Sequence, residues 1–217
     1  MATGHARPIL CWDSAQATDS WERSPDNKYW RPKTKFYPDT RQLQAGDIIL
    51  FKPLKPTLSQ RTIQMYEGGT FTHAAIYLQA DHEICESDPA TNGVAITSLE
   101  RHLTKNCILV RRVPDLQPEG RDKIAEMAVS LVNTPYGFQS IFESVVERLT
   151  GKHFPVRYTK SLKTPIICSA LCEHAMLAAS KGTIFLTRRT GSLIMPEDLA
   201  AANLLQDVDI TWKLVRE

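Results

Sequence analysis

Two residues of this chain combine a reactive side chain with a position that would make it useful. Cys168 stands three positions after Pro165, at or near the first turn of a predicted helix. There the helix dipole and unpaired backbone N–H groups favour an anionic sulfur. His73 lies in a predicted strand whose neighbours Ala74, Ala75, Ile76 and Tyr77 are small or apolar, so a sheet would hold its ring rigidly. A thiolate nucleophile needs such an imidazole as its base, and a third polar group to fix the ring's tautomer. Glu86 lies in the next predicted strand, where an antiparallel hairpin would bring its carboxylate to the far nitrogen of His73. The same three residues also read as a small buried hydrophobe in an apolar helix, an ordinary core histidine and a surface glutamate. Sequence position alone does not choose between these readings.

Other chemistry is less well supported. Cys168 and Cys172 share a helix face at i and i+4, with His174 close by, but a zinc site needs a second ligand pair elsewhere and none is visible. Gly68-Gly69 lacks the flanking Lys and Ser or Thr of a phosphate loop. No cofactor and no metal are expected. The basic cluster His153, Arg157, Lys160 and Lys163 reads as a solvated loop, placed before the cysteine helix where it would steer an anionic substrate.

The elements that must position these residues are legible. Gly46-Asp47 is a turn leading into the β-prone run Ile48 to Phe51, closed by Pro53 and Pro56. Thr57 to Tyr66 reads as a short helix ended by Gly68-Gly69. Strands follow at Thr72 to Leu78, Glu83 to Ser87, Val94 to Thr97 and Cys107 to Val113, with a helical turn at Leu99 to Leu103. After Pro114 the period becomes helical: Arg121 to Val132, Phe138 to Leu149, and the apolar helix from Pro165 to about Ser180. Pro196 to Ala202 reads as a short helix and Val208 to Val215 as a closing strand. The class is α+β with a small, mostly antiparallel sheet.

The chain has 217 residues, enough for one domain with a substantial core. Lys plus Arg number 26 against 24 Asp plus Glu, a net +2 with the signs interspersed, which argues against a nucleic-acid binder. No apolar run is long enough to span a membrane. Pro8 to Trp12 is too short for the core of a secretory signal, so the expectation is a cytoplasmic protein at synthesis. The 5 cysteines show no scaffold spacing and are expected to be reduced thiols. Residues 1–40 hold three of the 4 tryptophans, Trp12, Trp21 and Trp30, and are expected to form an extension wrapped over a domain spanning 41–217.

Five segments together resemble a known family: Leu43-Gln44-Ala45-Gly46-Asp47-Ile48-Ile49, Thr72-His73-Ala74-Ala75-Ile76-Tyr77, Ile84-Cys85-Glu86-Ser87, Pro135-Tyr136-Gly137-Phe138 and Ile167-Cys168-Ser169-Ala170-Leu171. In order and spacing they are similar to the permuted NlpC-type, papain-like cysteine hydrolases, the YiiX-like group in particular. His73 preceding Cys168 is the permuted order. The resemblance implies a papain-like fold in which a central antiparallel sheet packs against the cysteine helix. It further implies Cys168 as nucleophile, His73 as base, Glu86 as the group orienting that base, and Tyr136 as a hydroxyl near the substrate carbonyl.

Ala170-Leu171-Cys172 departs from the family's usual sequence after Cys-Ser. Cys172-Glu173-His174 resembles instead the Asn-Cys-Glu-His stretch of lecithin retinol acyltransferase-like proteins, which would move the nucleophile to Cys172. That residue lies a turn inside the helix and no Asn precedes it, so Cys168 is preferred.

The activity implied is amide hydrolysis by a cysteine peptidase or amidase, with peptidoglycan stem peptides as substrate. An enzyme without a signal meets that substrate only if a dedicated machinery delivers it as an antibacterial effector, for which an immunity protein would be the expected partner. The alternatives are acyl transfer or thioester hydrolysis on lipid esters with the same site, or a non-catalytic binding module on the same fold.

Overall fold

A computed structural model describes residues 21–23, 30–32, 35–79, 82–103, 105–137, 165–186, 194–210 and 212–215. Its frame is a six-stranded antiparallel sheet. The strands are β4 (Ile48–Pro53), β5 (His73–Tyr77), β6 (Glu83–Asp88), β7 (Gly93–Ser98), β8 (Asn106–Arg112) and β9 (Gln206–Val208), in the spatial order β7-β6-β5-β4-β8-β9. The continuous apolar runs of β4 and β5 reflect burial on both faces. Ile48, Leu50, Ala74 and Ile76 pack against helices α3 (Pro118–Ser130) and α4 (Cys168–Ala179) through Ile124, Ala128, Leu171 and Ala175. On the other face Ile49, Phe51, Ala75 and Tyr77 meet Leu43, Leu99, Leu103 and Ile210. This is the α+β arrangement of sheet against cysteine helix that the motifs implied.

Local chemistry explains the boundaries. Helix α1 (Leu58–Glu67) opens on a capping box between Thr57 and Gln60 and ends at Gly68, whose φ of 65° is the left-handed conformation glycine adopts without cost. A single helical turn, α2 (Glu100–Leu103), joins β7 to β8. Helix α5 (Pro196–Ala201) carries proline at its start, where the missing N–H does no harm.

Three expectations are corrected. The cysteine helix begins at Cys168, not at Pro165. Ile166 and Ile167 are extended instead, because the Ile166 N–H donates to the Pro135 carbonyl at 2.9 Å and its carbonyl accepts from Gly137 N–H at 3.1 Å and from the Ser87 hydroxyl at 2.7 Å. The closing strand is two strands: β9 pairs with β8, whereas β10 (Trp212–Val215) pairs antiparallel with β3 (Lys35–Pro38) in a separate sheet. Third, the thiols are not all reduced: Cys107 is disulfide-bonded, while Cys85, Cys168 and Cys172 are free. The segment read as an extension also contains β1 (Trp21–Arg23) and β2 (Trp30–Pro32), which pair with each other. The predicted helix at Phe138 to Leu149 and the basic cluster at 153–163 lie outside the described residues.

One glycine is essential to bringing residues 133–137 onto the sheet edge. The Val94 N–H donates to the Thr134 carbonyl at 2.9 Å, and the Asn133 N–H donates to the Val94 carbonyl at 2.9 Å. Gly93, with φ of 145°, lies so close that a Cβ on it would stand 2.1 Å from the Thr134 oxygen. Gly93→Ala is expected to destabilise the protein by about 1–3 kcal/mol in urea unfolding.

Candidate active site

The sheet register builds the site. Antiparallel pairing sets Ala75 opposite Glu86 and Phe51 opposite His73, so His73, the first residue of β5, lies diagonally beside Glu86. The His73 Nε2 is 2.6 Å from Glu86 Oε2. Glu86 is fully buried, and an ionised carboxylate survives there only with several donors. The Thr97 hydroxyl donates to Oε1 at 2.5 Å, and His102 Nε2 lies 2.9 Å from Oε2 and 3.1 Å from Oε1. The Arg101 guanidinium stands 3.8 Å away. Burial alone would raise the Glu86 carboxyl, but hydrogen bonds from His102 and His73 and their positive charge hold it well below the usual carboxylate range. Phe51 packs its ring against both imidazoles, at centroid distances of 5.5 Å to His73 and 4.6 Å to His102.

With Nε2 committed to Glu86, Nδ1 is the His73 nitrogen left for Cys168, whose sulfur lies within hydrogen-bonding reach of the ring. Burial works against a charged imidazole, yet the negative charge and hydrogen bonding of Cys168, followed by those of Glu86, push His73 up to about 10. An imidazole held in its charged form beside a cysteine sulfur is the pairing that nucleophilic cysteines use. Cys168 is the first helical residue of α4, and the residue before it, Ile167, offers no side-chain acceptor to the first turn. The N–H groups of that turn therefore receive no cap from Ile167, and a helix start of this kind favours negative charge.

Tyr136 arrives from the segment docked on Ile166, with which it forms a parallel bridge. Burial, and then the charges of Cys168 and Asp88, push its hydroxyl above the ordinary tyrosine value, so it remains a hydrogen-bond donor. Gly137 makes the docking close: a Cβ on it would stand 3.2 Å from backbone and side-chain atoms of residues 165–167.

The structure therefore brings together Cys168, His73, Glu86 and Tyr136. It leaves Cys172 apart. That thiol is fully buried, and desolvation, followed by the charges of Cys168, Cys85 and Glu173, pushes it well above the ordinary range. Burial likewise raises Cys85 to about 12, with Glu86 adding to the effect, and its Sγ is 3.4 Å from the Ala128 carbonyl oxygen. His174 is half-buried on α4, where burial disfavours its charged form. Sequence reasoning missed Thr97 and His102. A strand threonine and a histidine in a short helical turn carry no local signal; only the β6–β7 register and the packing of α2 bring them to Glu86.

Residues 42–147 match the family described as permuted papain-like amidase enzymes, YaeF/YiiX, C92 family. A curated protein of Escherichia coli K12, named probable lipoprotein peptidase YaeF, is 29% identical over 104 residues. That alignment covers 48% of this chain and 36% of the relative's own length. Among solved structures, the chain is similar to the metalloprotein yiiX from Escherichia coli O157:H7, with a TM-score of 0.59 and 18% identity over 79% of this chain and 99% of that one. This likeness shows a shared fold.

The raised His73 has a measurable signature. Its ring proton is expected to persist in NMR titrations well above the ordinary 6.5 and to be lost near pH 10. Because the folded value exceeds the unfolded one, the stability contributed by the charged ring is fully present below about pH 6.5 and disappears as pH rises through about 10. Cys168→Ala and Glu86→Gln should each shift the titration to lower pH.

Proposed function

We propose that this chain, whose residues 42–147 match the permuted papain-like YaeF/YiiX family, is a cysteine hydrolase of amide bonds whose nucleophile is Cys168. The observation that carries the reading is the unbroken line of contacts from Cys168 through the His73 ring to the buried Glu86 carboxylate. In the first step the sulfur anion attacks the carbonyl carbon, and the carbonyl electron pair moves onto oxygen. Backbone N–H groups at the start of α4 and the Tyr136 hydroxyl stabilise that oxyanion. As the tetrahedral species collapses, the Nδ1 proton of His73 passes to the departing amine and leaves a thioester on Cys168. His73, now neutral, takes a proton from water, and the resulting hydroxide cleaves the thioester to release the acid and restore the pair.

Glu86 is assigned the orientation of the ring and the stabilisation of its charge, and it remains ionised throughout. The substrate class proposed is peptide, with peptidoglycan stem peptides first to be tested. The support is the amidase and peptidase chemistry named for the family and for its E. coli relative. Delivery to a target cell, opposed there by an immunity protein, completes the proposal; confinement of the protein to the producing cell in a secretion assay would overturn that part.

Mass spectrometry of purified peptidoglycan fragments incubated with wild-type protein tests the activity, with Cys168→Ala as the blank. New cleavage products are expected only with wild type, and their masses identify the bond; intact fragments would remove peptidoglycan as substrate. With a cleaved peptide in hand, Tyr136→Phe is expected to lower kcat by about 10²–10³-fold with little change in KM, as loss of one oxyanion donor does. An unchanged kcat would remove Tyr136 from the mechanism.

A further inference from the structure

The hydrolytic reading leaves part of the buried polar cluster unused. His73, Glu86, Asp88 and His102 each offer one donor atom, and these atoms all lie within 4.8 Å of one another. The fold makes this convergence. Glu86 and Asp88 are alternate residues of β6 and share one face of the strand, β5 supplies His73 from the neighbouring strand, and α2 supplies His102. Glu86 has no exposed side-chain surface, and the two imidazoles are 15% and 12% exposed. Asp88 uses one oxygen to accept from the Ala90 N–H at 2.7 Å, leaving its second oxygen for another partner.

Two imidazoles and two carboxylates form a donor set suited to zinc, and a network held together by two Nε2 protons on a shared carboxylate has a metal equivalent. We propose that this cluster is a second, inhibitory site that takes a zinc ion through Nε2 of His73, Nε2 of His102 and one carboxylate oxygen each from Glu86 and Asp88.

The geometry needs adjustment in two directions. The His73–Glu86 and His102–Glu86 contacts are 2.6 and 2.9 Å. Ligands about 2.0–2.2 Å from a tetrahedral zinc stand roughly 3.3–3.5 Å apart, so the two close contacts must spread by about 0.4–0.9 Å while donors up to 4.8 Å apart draw in by up to about 1.5 Å. The Arg101 guanidinium, 3.8 Å from Glu86, opposes the ion as the charged His73 ring does, but its side chain is 40% exposed and able to turn to solvent. On binding, the metal takes the Nε2 lone pair of each ring, and any proton held there leaves to solvent. His73 then retains only its Nδ1 proton. Giving that proton to a leaving amine would leave a metal-bound imidazolate in place of neutral imidazole, so the hydrolytic step slows while zinc is bound.

Only the inhibitory consequence rests on the hydrolase reading; binding does not. The test is titration of the full chain, stripped with chelator, with zinc chloride by calorimetry, and with cobalt(II) by visible absorption. One ion per chain is expected for wild type and for Cys168→Ala, with a tetrahedral cobalt spectrum lacking a thiolate charge-transfer band. Asp88→Asn and His102→Gln should each weaken binding by more than about tenfold. The Asn variant can keep the cap on Ala90 through its amide oxygen, and circular dichroism with thermal melting confirms the folding of both. Absence of stoichiometric binding, loss of binding in Cys168→Ala, or unchanged affinity in Asp88→Asn overturns the site. In the peptide assay, stoichiometric zinc should slow wild type reversibly on chelation. Bound zinc without slowing overturns inhibition alone, and an inactive chain that still binds one zinc overturns the hydrolase reading and leaves the site standing.

Discussion

The carboxylate of Glu86 is the constraint around which this structure is organised. A charge without exposed surface costs several kcal/mol unless donors surround it, and here His73, His102 and Thr97 converge on its two oxygens. Each comes from a different element: the start of β5, the α2 turn and the end of β7. Satisfying one carboxylate therefore fixes the relative positions of three segments. The ring of His73 is held at one nitrogen so that the other is left for Cys168.

The second requirement is a sulfur delivered to that free nitrogen, and here the segment ahead of α4 matters more than the helix itself. Ile166 is held in an extended conformation by Pro135, Gly137 and Ser87, which postpones the helix until Cys168. The same hydrogen bonds dock Tyr136. One short stretch of sheet-like pairing thus sets both the Cys168 thiol and the Tyr136 hydroxyl. The two cysteines of the helix have different surroundings: Cys168 faces an imidazole, whereas Cys172, one turn on, faces the core, where burial pushes its thiol well above the ordinary range.

Burial on both faces explains how the sheet tolerates so polar a centre. The apolar clusters around Ile48 and Ile49 make β4 and β5 rigid and central, and the site lies where β5 begins and β6 ends. A histidine in the middle of β5 would have required partners deep inside either cluster. At the first residue of the strand it stays 15% exposed on one side and is fixed by Phe51 and Glu86 on the other.

The sequence by itself determined the identities and order of the elements carrying the site. The β-prone runs at Ile48 and Ala74, the Gly68 stop and the apolar period after Pro165 depend on neighbours within a few residues, and such local preferences can be read along a chain. It also determined that a cysteine at or near the first turn of a helix and a histidine in an apolar strand were the residues to watch. Tertiary structure decided what those residues are. Thr97 and His102 became partners of Glu86 because of strand register, the helix began at Cys168 because residues 135–137 had already claimed Ile166, and β10 left the main sheet to pair with β3. Each outcome depends on contacts between segments distant along the chain, whose energies outweigh local preference and leave no local trace in the residues they govern.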